Sequence, residues 1–211
     1  VPAVRFTEAA PAVLTALVCL AVFAGYFTRC VQDLTAPDAV ELAQTARNVS
    51  EARGLSTDSI RPLSLLFHNK VDRHPDFYVS PLQTFVTAFA FVLRQPSDRA
   101  AAAASGVFLL PTLWLVFLIG SRVGGPGVAA VATLGCLLAP SVLREAFSGT
   151  GTQLAAFHFT LWIYLALGKD AATDDDDEFG PSRPASWGWR RSVWSGVVFG
   201  LLMLTDWQGA R

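Results

Sequence analysis

FYVSPLQTFVTAFAFVL, residues 77–93, is the stretch on which the topology turns. It holds no Asp, Glu, Lys or Arg, but Pro81, Gln83, Thr84 and Thr87 interrupt it. Its 17 residues would reach only about 25 Å as a helix, short of a hydrocarbon core of roughly 30 Å. Counting it as a span would invert the orientation of everything that follows. Other uncharged runs are longer: 9–27, 100–121, 123–143 and 146–168 carry no charged residue at all. These are membrane-spanning lengths.

Charge placement chooses between the two topologies. If 77–93 spans, the short inside loops carry Arg94, Arg99 and Arg144, and Arg122, Lys169, Arg183, Arg190 and Arg191 fall outside. If it lies at the interface, those five are inside, the better fit to the excess of basic residues in cytoplasmic loops. The sequence therefore predicts an all-α fold, a polytopic membrane helix bundle with juxtamembrane amphipathic helices in its first outer loop. Its spans are expected at about 9–27, 100–121, 127–143, 152–167 and 192–207. An extracytoplasmic loop is expected at 28–97 and an acidic cytoplasmic linker at 168–191.

Composition agrees with this reading. Of 211 residues 52% are hydrophobic and 16% charged, against about 25% charged in soluble domains. Three cysteines, two of them inside apolar runs, exclude a disulfide framework. A net charge of -1 gives no pull toward nucleic acid. Arg5 before an apolar run has the form of a signal peptide, but 19 uncharged residues exceed the roughly 7–15 of a signal core, and Arg29 and Cys30 follow where a cleavage site would stand. The run at 9–27 is therefore read as a first transmembrane helix. The chain starts at Val1 and stops at Arg211 directly after an apolar run, and is expected to be the N-terminal part of something longer.

Within the first polar loop, Ala39, Leu42, Ala43, Ala46 and Val49 recur at helical spacing, with Asp38, Glu41, Gln44, Arg47, Asn48 and Glu51 opposite. That pattern predicts an amphipathic helix on the bilayer surface, begun by Pro37 and Asp38, with Glu41 at a box-like spacing and Gly54 beyond its end. The simplest role for Asp38 is as the cap of this helix. Asn48-Val49-Ser50 has the form of a glycosylation site. The run Asp174-Asp175-Asp176-Asp177-Glu178, followed by Gly180, Pro181 and Pro184, reads as a solvated linker. Trp187, Trp189 and Trp194 beside Arg190 and Arg191 read as an interfacial anchor, with Trp207 toward the opposite face.

No Walker loop, G-x-G-x-x-G, G-x-S-x-G or H-E-x-x-H is present. His158, inside a span, reads as a buried structural imidazole, and His68 and His74 do not make a metal pair. No cofactor is expected, and no ligand cluster supports a divalent metal. What stands out is the polar loop after the first span, which opens with an acidic helix and ends in His68-Asn69-Lys70-Val71-Asp72-Arg73-His74-Pro75. A carboxylate facing cations at a bilayer surface suits a reaction on a lipid-linked phosphate: the cations stabilise the leaving phosphate and the carboxylate takes a proton from the attacking hydroxyl. For Lys70, Arg73 and His74 the alternative is anchoring to lipid headgroups.

The first span followed by 35–47, TAPDAVELAQTAR, resembles the opening of GT-C glycosyltransferases of the protein O-mannosyltransferase and lipid A aminoarabinose transferase kind. The resemblance continues through Arg73-His74-Pro75, Tyr78 and Pro81-Leu82, then Ser97-Asp98-Arg99-Ala100-Ala101, Ser121-Arg122-Val123-Gly124-Gly125 and Ala139-Pro140-Ser141. It implies an enzyme that takes a sugar from a polyprenyl-phosphate donor in the bilayer and gives it to a lipid, glycan or protein hydroxyl outside the cytoplasm, in a plasma or inner membrane. It implies Asp38 as catalytic base, with Lys70, Arg73 and His74 near the donor phosphate. The chain departs from that family in having Ala39 where a second acid often stands, Gln153 near an outer loop that is often acidic, and Thr205-Asp206-Trp207 where a Lys is common. The rival readings are a transporter, disfavoured because no span carries a charge at its centre, and a non-catalytic membrane scaffold.

Overall fold

A computed structural model describes residues 6–58, 74–76, 78–167 and 189–205. These residues are mostly helical. The helices are α1 (Phe6–Cys30), α2 (Pro37–Ser50), α3 (Pro81–Leu93), α4 (Asp98–Gly106), α5 (Leu109–Leu138), α6 (Pro140–Ala146), α7 (Thr152–Ala166) and α8 (Trp189–Thr205). The only strands among the described residues are β1 (Ser56–Thr57) and β2 (His74–Pro75), paired antiparallel with Thr57 opposite His74. Two helical stretches, Ala10–Cys30 and Asp98–Leu138, are long and apolar enough to cross a membrane.

The second stretch is not one rod. Ser97 caps α4 by accepting the Ala100 amide at 3.2 Å. Val107 and Phe108 remain in the right-handed helical region, so α4 runs on into α5. Gly124 and Gly125 then leave helical geometry, Gly125 at φ 79, ψ 179, a region essentially reserved for glycine. A Cβ built on Gly120 would lie 2.8 Å from Ala129 Cα. Nine residues of straight helix would separate those positions by about 13 Å, so the chain doubles back into a helical hairpin. The returning limb stops at Leu138, short of the expected 143, because Pro140 forces Ala139 into an extended conformation (φ -70, ψ 115).

Contacts between distant segments gather the polar loops at one end of the bundle. The Leu34 amide donates to Asp98 Oδ2 at 3.2 Å, and Arg99 Nε to the Val31 carbonyl at 3.1 Å, which joins the end of α1 to the start of α4. Phe147, just after α6, packs among Phe23, Tyr26 and Phe27 of α1 with ring centroids 5.0–5.7 Å apart. Ser105 Oγ donates to the Ala146 carbonyl and accepts the Gly149 amide. Ser80 Oγ donates to the Leu204 carbonyl near the end of α8. At the far end Arg122 donates to the Tyr164 carbonyl and stacks over that ring at 3.9 Å.

Helix α3 begins beside the end of α8 and leads to Asp98, which is bonded to Leu34, so it starts and finishes at the polar end. It lies against α2, with Ala46, Ala88, Phe91, Ala100 and Ala101 in one cluster. Its amphipathicity is inverted. Gln83, Thr84 and Thr87 are fully buried, and Phe85, Phe89, Val92 and Leu93 face outward at 52–69% exposure. The outward side chains follow the i, i+4, i+7, i+8 spacing of a single stripe.

Candidate active site

Asp38 lies in the first turn of α2, but it is not the cap. Ala36 occupies that position in extended conformation, with no side-chain cap hydrogen bond, and its carbonyl accepts the Ala39 and Val40 amides at 3.1 and 3.2 Å. Pro37 at the first helical position supplies the turn's fixed φ and has no amide to satisfy. This corrects the expectation that Asp38 and Glu41 form a capping pair. The carboxylate is exposed, and its helical contribution is limited to a favourable charge at the positive end of the helix dipole.

Asp38 lines a cavity of about 190 Å³ together with Leu42, Val79, Ser80, Thr150, Gly151, Thr152, Ala155 and Thr205. Four segments far apart in sequence meet here, and among these residues Asp38 alone is ionisable. Hydroxyls make up much of the remaining polar lining. Ser148 Oγ and Thr150 Oγ1 are 2.7 Å apart, and Thr150 donates to Thr152 Oγ1 at 3.1 Å, so a hydroxyl chain leads along the rim to the start of α7. Such a pocket offers one proton acceptor among groups that both donate and accept hydrogen bonds. A larger cleft of about 500 Å³ lies on the other face of α2, near Arg47, Arg53, Asp58 and Asp98. It lacks Asp38, and both arginines are bonded to Glu51, at 3.1 and 2.9 Å.

Of the other residues expected at the site, Lys70 and Arg73 lie outside the described residues. His74 is described only as part of β2. Gln153 is buried and donates to Thr112 Oγ1 at 3.2 Å, which ties α7 to α5. Glu145 is exposed on α6 and does not line the cavity. His158 is buried with Nδ1 2.9 Å from the Leu154 carbonyl and its ring edge-on to Phe157. Asn48 is buried and donates to the Ser56 carbonyl at 2.8 Å, which removes it as an accessible glycosylation site. Among the described residues no three His, Cys, Asp or Glu side chains form a metal-binding group.

Sequence reasoning passed over Asp76. It is one acid among seven in the loop, and nothing in its spacing sets it apart except its place just after His74-Pro75. In the folded chain it is 3% exposed, accepts the Thr45 hydroxyl at 3.0 Å through Oδ2 and accepts the Tyr78 amide at 3.0 Å through Oδ1. Thr45 belongs to the face of α2 that also carries Asp38 and Leu42.

Comparison with known proteins finds no matching family, no matching curated protein and no matching solved structure.

Proposed function

We propose that the chain is the N-terminal part of a polytopic membrane glycosyltransferase of the GT-C kind. It moves a sugar from a polyprenyl-phosphate donor to a hydroxyl of a lipid, glycan or protein on the extracytoplasmic side of a plasma or inner membrane. The observation that carries this reading is the cavity in which Asp38 is the lone ionisable group among hydroxyls, at the end of the bundle where the polar loops collect.

Two features support the membrane setting. The apolar window of α1 is only 11% buried, so Val13, Leu14, Leu17 and Leu20 need a covering that the described protein does not supply. The inverted helix α3 turns Phe85, Phe89, Val92 and Leu93 outward beside the cavity, the arrangement of a helix lying in the bilayer interface. In this reading α1, the two limbs of the 98–138 hairpin, α7 and α8 are the five spans; α7 and α8 are no longer than the 77–93 stretch, so it is the placement of basic residues, not length, that keeps α3 from being counted as a span.

The chemistry follows from the position of the carboxylate. Asp38 accepts the proton of the acceptor hydroxyl as its oxygen bonds to the anomeric carbon of the donor sugar. The bond from that carbon to the phosphate oxygen breaks, and polyprenyl phosphate leaves with the electron pair. Lys70, Arg73 and His74 are assigned to the phosphate by the family resemblance.

Full-length protein in lipid vesicles, supplied with a polyprenyl-phosphate-linked sugar and membrane extract as acceptor, should release polyprenyl phosphate and label the acceptor. Movement of solute across the vesicle with no sugar transfer would instead establish a transporter.

A further inference from the structure

Asp76 is used by nothing in the mechanism above, although a carboxylate held out of water is costly unless its oxygens are hydrogen-bonded. Both are. One takes the Thr45 hydroxyl on α2, the other the Tyr78 amide in the segment that leads into α3, and the Asp76 amide itself donates to the Leu55 carbonyl at 3.1 Å. Thr45 is fully buried.

The two partners belong to two of the segments that line the cavity. Asp38, Leu42 and Thr45 follow one another at i, i+4 and i+7 on one face of α2, and the first two line the cavity. In the other segment Tyr78 directly precedes Val79 and Ser80, which also line it. In addition to the packing of α2 on α3, this side chain therefore hydrogen-bonds the helix that carries the base to the segment that carries Ser80. We infer that Asp76 is a positioning residue: its clamp between Thr45 and Tyr78 sets the distance between Asp38 and the Ser80 segment, and so the alignment of base and sugar.

The inference rests on the reading of Asp38 as base, and its test separates the two. Asp76→Asn keeps an oxygen for the Tyr78 amide and offers an N–H to Thr45 Oγ1. Asp76→Ala and Thr45→Val break the clamp. In full-length protein Asp76→Asn should keep kcat within about threefold, whereas Asp76→Ala and Thr45→Val should lower kcat by about 10–100-fold with KM nearly unchanged, because a shift near 1 Å at a base costs up to that much. The placement of the Ser80 segment against the 150–152 loop can be read without substrate. A Cβ on Gly151 would lie 3.4 Å from Ser80 Cβ, close to the roughly 3.5–4.5 Å of a disulfide, so a Ser80→Cys, Gly151→Cys pair should cross-link readily.

Cross-linking should be slower by about an order of magnitude when Asp76→Ala or Thr45→Val is added, and unchanged with Asp76→Asn. Unaltered cross-linking together with undiminished kcat in Asp76→Ala and Thr45→Val would overturn the clamp. Slowed cross-linking with undiminished kcat, or equal loss of kcat in Asp76→Asn and Asp76→Ala, would overturn its catalytic role. If Asp38→Asn retains full transfer, the assignment of Asp38 fails and the catalytic role of Asp76 falls with it, whatever the cross-linking measurement says of the clamp.

Discussion

Replacing Asp38 by Asn and, separately, by Ala gives the sharpest test of the enzyme reading, and the local geometry fixes what each change should do to stability. With Ala36 at the cap and its carbonyl satisfying the first-turn amides, neither substitution removes a capping hydrogen bond. Only the favourable charge at the start of the helix is lost, worth about 0.3–1 kcal/mol at an exposed site. The Ala variant is thus spared the cost of about 0.5–2 kcal/mol that loss of a true cap would bring. Both proteins should fold and melt within a few degrees of the parent. Activity should behave differently. A positioned base contributes about 10²–10⁴-fold, equivalent to roughly 3–5 kcal/mol of barrier, so both variants should lose that much transfer from a polyprenyl-phosphate sugar. The assay is acceptor labelling by full-length protein in vesicles, read beside thermal unfolding of the same preparations. An Asn variant with full transfer would refute the base assignment and leave the architecture standing. An Ala variant destabilised by well over 1 kcal/mol while Asn is not would refute the account of the helix start.

Gly149→Ala should cost about 1–3 kcal/mol in thermal stability and reduce transfer, because the residue sits at φ 83 and an added Cβ would lie 2.6 Å from Leu34 Cδ2 and 3.2 Å from Ala39 Cβ, beside Asp38. Gly125→Ala should destabilise by a similar ~1–3 kcal/mol through backbone strain at the hairpin, with no contact to relieve, as thermal unfolding would register. An impermeant thiol reagent applied to intact cells, with the native cysteines replaced, should label a cysteine at Glu51 and not one at Val123; the reverse would invert the topology. Asn48 should carry no glycan even where the machinery is present, which a mobility shift after deglycosylation would contradict.

Several features that depend on residues near in sequence were legible before folding. Uncharged runs mark apolar helices because charge is expensive in hydrocarbon. Gly124-Gly125-Pro126 falls in the gap between the expected spans 100–121 and 127–143, whereas the stop at Ala139-Pro140 and the Ser97 cap were passed over although both are local effects of backbone sterics and side-chain reach. The place of Asp38 at the start of α2 was legible as a local feature. Its freedom from capping was not, since Ala36 and Asp38, on either side of Pro37, compete for the cap only through how the chain enters the helix, and Asp carries the stronger propensity.

Other assignments waited for tertiary contacts. Periodicity put Asn48 on the polar face of α2, yet the Ser56 carbonyl, brought close by the β1 turn, buries it. Gln83, Thr84 and Thr87 read as polar interruptions in a marginal span, and packing against the rest of the fold turned them inward and the aromatics out. The sequence by itself determined that the chain is mostly helical and where its apolar runs lie, because those preferences are local. Only the tertiary structure decided that Asp76 reaches Thr45 and that Asp38 lines one cavity with Ser80, Thr150 and Thr205, because each of those placements depends on segments dozens of residues apart closing on the same volume.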